Sequence, residues 1–137
     1  MAKGARNGGT REAAGPWSVE EYLTASGENL VLGFFKGLTG EHKAEAIALL
    51  KLVRERGNRL GMPHSEALGK GLFELRGKQG VRIYYTFRPG RRVVLLDGMI
   101  KKRGSIPPKV LARIRGLVAE VKGTNAKTTD APGQSGA

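Results

Sequence analysis

The chain has 137 residues and a formal net charge of +12, long enough for one hydrophobic core and too short for two of ordinary size. A charge of that sign and size favours polyanionic partners, nucleic acid ahead of an acidic protein surface or an anionic membrane. With no cysteine and only two histidines, disulfides, thiolate metal sites and a cysteine nucleophile are excluded, and neither a metal nor a small-molecule cofactor is expected.

Residues 1–15, "MAKGARNGGTREAAG", are rich in glycine, alanine and charge without periodicity, so a disordered extension is expected there. They also lack the apolar core of a secretion signal, and no apolar run reaches membrane-spanning length. A cytoplasmic location without a membrane partner follows as the expectation. The domain is expected over 16–122, with a second disordered stretch over 123–137. Trp17, Val19 and Tyr22 suggest a short first strand ending in the turn residues Ser26 and Gly27. From Asn29 the spacing turns helical, breaking at Thr39-Gly40 and stopping at Gly57. This predicts a short helix and then a longer one, whose stripe of Ala46, Ile47, Leu49, Leu50 and Val53 faces inward. Lys43, Lys51, Arg54, Arg56 and Arg59 are left on its outer face, solvated or touching RNA.

A loop with Gly61, Pro63 and His64 leads into "GLFELRGKQGVRIYYTFRPGRRVVLLDGMIKKRG". Taking Lys78-Gln79-Gly80 as a hairpin loop with Gly80 in the left-handed conformation sets Arg76 opposite Arg82, Leu75 opposite Ile83, Glu74 opposite Tyr84 and Phe73 opposite Tyr85. Phe73, Leu75, Ile83 and Tyr85 then share a core face, while Glu74, Arg76, Arg82 and Tyr84 share the other. A turn at Pro89-Gly90 opens "RVVLLDGMI", apolar on both faces and so a central or covered strand. Prolines at 107 and 108 start a closing helix with Val110, Leu111, Ile114, Leu117, Val118 and Val121 on one stripe. The expected fold is α+β: a small antiparallel sheet packed on one face against an N-terminal helical hairpin, with a C-terminal helix.

Directly opposed arginines repel each other unless an anion or carboxylate lies between them. Glu74 supplies part of that compensation, and Asp97 adds to it if the next hairpin brings it close to Arg82. Lys101, Lys102 and Arg103 at the end of the adjacent strand shift the balance from a solvated basic face toward an anion site. Guanidinium groups grip phosphate oxygens in two-pronged fashion, and a lysine can also move a proton, so the set suits RNA strand scission without metal. Tyr84, Glu74 or a lysine would supply the acid and base. His64 lies within reach of the site, although a loop histidine is more often a surface residue; His42 is less suited still. Tyr85, Phe87 and Trp17 are expected to serve packing.

The run from Gly71 to Pro108, with "NLVLGFFKGL" and "ALLKLVRERGNRLGMPHSEAL" before it, resembles the RelE/ParE superfamily of type II toxin–antitoxin toxins, and within it the phage-derived HigB-like branch. The similarity covers about 17–121, and "GLFELR", "VRIYY" and "LLDGMIKK" are its most specific parts. It implies a microbial RNase-like (RelE-like) fold and a ribosome-dependent mRNA endoribonuclease that inhibits translation. It further implies two partners, the ribosome with bound mRNA and a cognate antitoxin, expected to be a helix-turn-helix protein. Carried over by motif, Arg82 stabilises the phosphate in the transition state, Arg76 positions it, and Lys101 or Lys102 shares charge stabilisation and proton transfer. Tyr84 is a weaker candidate, for stacking or hydrogen bonding, and Arg103, Glu74 and His64 complete the RNA-binding set. Two other readings stay open: a ParE-like inhibitor that binds DNA gyrase without catalysis, and a phage-derived RNA-binding protein without nuclease activity.

Overall fold

The computed structural model describes residues 16–101, 104–123 and 125–132; the extension at 1–15 lies outside the described residues. Strand β1 (Ser18–Leu23) is followed by helix α1 (Leu30–Lys36). Asn29 caps α1, its side-chain oxygen accepting from the Leu32 amide at 2.9 Å. Helix α2 (Gly40–Arg56) buries Ala46, Leu49, Leu50 and Val53 and stops at Gly57, where φ turns to +53°. Ile47, expected in the buried stripe, is instead 59% exposed. Strands β2 (Ser65–Gly69), β3 (Leu72–Arg76), β4 (Val81–Arg88) and β5 (Arg92–Ile100) follow, then helix α3 (Pro108–Val121) and strand β6 (Lys127–Asp130).

Among the described residues the strands form one six-stranded sheet in the order β2-β3-β4-β5-β1-β6. Neighbours are antiparallel except β1 and β5, which run parallel, with Val19 opposite Val93 and Glu21 opposite Leu95. The β3–β4 pairing is the one expected: Phe73 with Tyr85, Glu74 with Tyr84, Leu75 with Ile83 and Arg76 with Arg82. Gly80 takes φ +99° in the turn.

Three expectations need correction. The sheet is neither small nor covered on one face only. Strand β5 is apolar on both sides: Val93 and Leu95 join Leu75, Ile83, Leu49 and Val53 under the α1–α2 hairpin, while Val94 and Leu96 join Tyr22, Leu72, Ile114 and Val118 under α3. The stripe of α3 therefore has an apolar sheet face of its own to bury, and it covers the side expected to meet solvent. Segment 65–69, expected as loop, pairs on β3 through Ser65–Leu75 and Glu66–Glu74. Residues 127–130, expected in a disordered tail, pair antiparallel with β1, from Glu20–Asp130 to Leu23–Lys127. Their composition is polar, but β1 offers an edge of unpaired amides and carbonyls, and Ala131 closes into the core at 3% exposure.

Two neighbouring carboxylates on β1 behave in opposite ways because alternation sends them to opposite faces. Glu20 accepts from Arg92 Nη2 at 2.7 Å and Nε at 2.9 Å, from Ser18 Oγ at 2.8 Å and from Thr128 Oγ1 at 2.8 Å. It thereby ties β5, β1 and β6 together. The Arg92 hydrogen bonds chiefly hold its pKa down, to about 2, with Thr128 and Ser18 assisting against burial. Glu21 is buried with one oxygen accepting from Asn29 Nδ2 at 2.8 Å, and burial pushes its pKa up. A carboxyl whose folded pKa is depressed contributes stability above its unfolded pKa and loses it as pH falls through the folded one. Urea unfolding should therefore show Glu20→Gln destabilised by about 2 kcal/mol at pH 7, after discounting the partly exposed Arg92. That deficit should vanish between pH 4.5 and about 2. Glu21→Gln, one residue away, should cost little or stabilise at pH 7, because charging the native carboxyl in its buried setting is unfavourable.

Candidate anion site on the sheet

The β3–β4 register places two rows of side chains across the α3 face of the sheet. Glu66, Glu74, Tyr84 and Asp97 stand opposite one another across β2, β3, β4 and β5. The next row toward the hairpin turn holds Arg76, Arg82 and Met99. Each arginine thus borders a row of carboxylates, which resolves the repulsion between them. Arg76 Nη1 meets Glu66 Oε1 at 2.7 Å and its Nε lies 3.5 Å from Glu74 Oε1. Arg82 Nε lies 3.9 Å from the other oxygen of Glu74. Glu74 therefore stands between the two guanidinium groups, as expected. Asp97 does not join them: its Oδ2 accepts from Arg113 of α3 at 2.6 Å and its Oδ1 from the Gly98 amide at 2.7 Å. The cause is local, since β5 gains a residue at Leu96, with Tyr85 opposite Leu95 and Tyr84 opposite Asp97.

The arginines differ in access. The Arg82 side chain is 7% exposed and that of Arg76 30%. Arg82 Nη1 donates to the Gly77 and Val81 carbonyls, each at 3.0 Å, which folds the guanidinium back over the turn. Lys101 extends the β5 edge, its amide donating to Gly80 O at 2.6 Å, and its side chain is half-buried. Arg76, Arg82 and Lys101 are thus brought to one end of the sheet. Lys102 and Arg103 lie outside the described residues.

Tyr84 does not fit the expected role in stacking. Its ring is 1% exposed, beneath α3, and cannot meet a base in this arrangement. Its hydroxyl has no hydrogen-bond partner of good geometry. Burial, reinforced by the nearby Glu74 carboxylate, pushes the phenol pKa well above its usual value, so it is protonated at neutral pH and is no general base. Tyr85 and Phe87 lie on the other face with Phe73, ring centroids 5.0–5.6 Å apart, as expected for packing.

Two residues of α2 that composition did not single out hold the turn between the arginines. Glu45 accepts from the Gln79 amide at 2.7 Å and the Val81 amide at 3.1 Å. His42 Nε2 lies 3.0 Å from Gln79 O. Gly77 is required beside them, because a Cβ there would overlap the Glu45 carboxylate. A histidine and a glutamate spaced three apart at a helix start, followed by a glycine-flanked hairpin, was the available signal. His64 is exposed and borders a cleft of about 720 Å³ between α2, the segment 62–64 and the β3–β4 turn. Arg76 and Arg82 line the same cleft. Of the outer helix cations, Arg54 is engaged, its Nη2 donating to Pro132 O at 3.3 Å.

A mixed sheet between a helical hairpin and a C-terminal helix, with opposed arginines at one end, is an arrangement suited to gripping a polyanion. The family model of the phage-derived protein Gp49-like (DUF891) family matches residues 33–118, and the chain belongs to this family, one of RelE-like toxins. No curated protein matches the chain.

The clamp on the turn can be tested. Glu45→Ala leaves the Gln79 and Val81 amides without their acceptor and should cost about 1–3 kcal/mol in urea unfolding. Hydrogen exchange at those two amides should rise well beyond the change expected from global destabilisation, whereas amides of β1 should follow the global change alone.

Proposed function

We propose that this protein is the toxin of a type II toxin–antitoxin pair, of the HigB-like branch, and that it cuts mRNA on the ribosome without a metal. The observation that carries the reading is the opposed pair Arg76 and Arg82, held on one strand end by carboxylates on adjacent strands and bordered by Lys101. Membership of a RelE-like toxin family supports it. The partners in this reading are the ribosome with its mRNA and an antitoxin of helix-turn-helix type, all within the cytoplasm.

The chemistry is an in-line transfer. The ribose 2′-oxygen loses its proton and bonds to the adjacent phosphorus, the bond from phosphorus to the 5′-oxygen breaks, and that oxygen takes up a proton. A 2′,3′-cyclic phosphate and a 5′-hydroxyl result, with no change in oxidation state. Arg82 and Arg76 serve the non-bridging oxygens, where negative charge accumulates, with a fork whose direction Glu74 fixes. Lys101 serves the leaving oxygen as proton donor. Glu74 is spent on the two guanidinium groups, and Tyr84 keeps its proton, so neither is assigned as base.

Burial of the Arg82 side chain at 7% exposure favours a second reading, in which the ion network is structural and the protein binds RNA without cutting it. Mapping of 5′ ends on a defined mRNA in a reconstituted translation reaction separates the two. The nuclease reading expects ribosome-dependent cuts, reduced about 10²–10³-fold by Arg82→Ala. Arg82→Lys, which keeps the charge but loses the fork, should fall between, and Lys101→Ala should also lower the rate. Intact mRNA with the wild-type protein, alongside salt-sensitive RNA binding, would establish the second reading instead.

A further inference from the structure

The cleft of about 720 Å³ beside the arginines has no part in the chemistry above. Its size falls in the range of small-molecule sites, and its make-up matches theirs, apolar walls with a few convergent polar groups. Helix α2 contributes Ala44, Ala48 and Leu52 to one wall, and Met62, 66% exposed, stands at another. The two alanines matter: both are exposed, on a helix whose neighbouring turns carry leucines, and their small size leaves the depression open. At the end nearest the turn, Arg76 and Arg82 line the cleft while also belonging to the candidate phosphate site. Glu45, a carboxylate in the wall, is already committed to two backbone amides, which lowers its repulsion toward an anionic ligand.

We propose that this cleft takes the base of a single-stranded nucleotide whose phosphate is held by Arg76 and Arg82, so that it sets which base can adjoin that phosphate. The inference rests on the RNA reading above but not on cleavage. A base is a flat apolar body with a polar edge, and aliphatic side chains and a guanidinium plane can sandwich its faces. The phosphate is anchored where the cations converge, and the adjoining depression is the space a splayed base would fill. An acidic peptide with an apolar anchor shares part of this complementarity. The arginines' double membership, in cleft and phosphate site, favours the nucleotide.

The test uses 2′-O-methyl trinucleotides, which cannot be cut, labelled with fluorescein at one end and carrying either a base or an abasic residue at the central position. Anisotropy titrations of the full chain give the two affinities. The wild type should prefer the base-bearing strand by about tenfold or more, the gain expected for one stacked base. Ala48→Leu, which fills the depression with a good helix former and leaves both arginines in place, should abolish that preference while retaining affinity for the abasic strand. Arg76→Ala should weaken both strands alike. Equal wild-type affinities, an undiminished preference in Ala48→Leu, or no binding of either strand would overturn the proposal. So would amide shifts at Ala44, Ala48 and Leu52 that arise with an acidic amphipathic peptide and not with the trinucleotide. Failure of the nuclease reading appears separately, as intact mRNA in the cleavage reaction.

Discussion

Two arginines stand face to face on adjacent strands, one of them nearly buried, and the sheet holds them because carboxylates occupy the row beside them. Without Glu74 the pair would set like charges against each other in a poorly solvated place, and the register that aligns β3 with β4 would work against folding. With it, the two guanidinium groups share one carboxylate, and Glu66 takes a further hydrogen of Arg76. The ion pairs thus fix direction more than they add stability, since burying charges costs desolvation that their attraction only partly offsets.

Both helical layers reach this end of the sheet. From one side α2 grips the turn through Glu45 and His42. From the other, α3 reaches Asp97 through Arg113, and Arg115 donates to the carbonyls of Leu68 and Gly69 at the far end of β2. The C-terminal end of α3 is held as well, with Arg88 of β4 donating to Val121 O. Donors braced from two directions lose little freedom when an anion arrives, which is the condition for charge stabilisation without reorganisation.

Much of this was legible in the residues. Gly80 and the alternation of "FELR" and "VRIYY" fixed the register, because a slip of one residue would have sent Leu75 and Ile83 to the wrong face. The breaks at Gly40 and Gly57 and the proline start of α3 were equally plain. What pattern alone left unread was the destination of α3. Its apolar stripe demanded a partner, and Val94 and Leu96 provided one, but a strand apolar on both sides does not say which helix covers which side. The consequence fell on Tyr84, read as accessible and found buried. Strands β2 and β6 were missed for a related reason: "SEALG" and "KTTD" are edge strands of mixed or polar composition, whose pairing is set by the neighbour's open edge rather than by their own hydrophobicity. Glu45 looked like any exposed helix carboxylate, and only the approach of the turn gives it a task.

The central claim is that Arg76 and Arg82 form one anion site for RNA. The most direct measurement is the salt dependence of affinity for a short single-stranded RNA, comparing the wild type with Arg76→Gln and Arg82→Gln. Each phosphate contact on a single strand contributes about 0.7 to the slope of log K against log salt. The slope should become shallower by about that amount in each variant if the claim holds. Slopes equal to that of the wild type in both variants would contradict it, and would make the pair a structural element of the sheet.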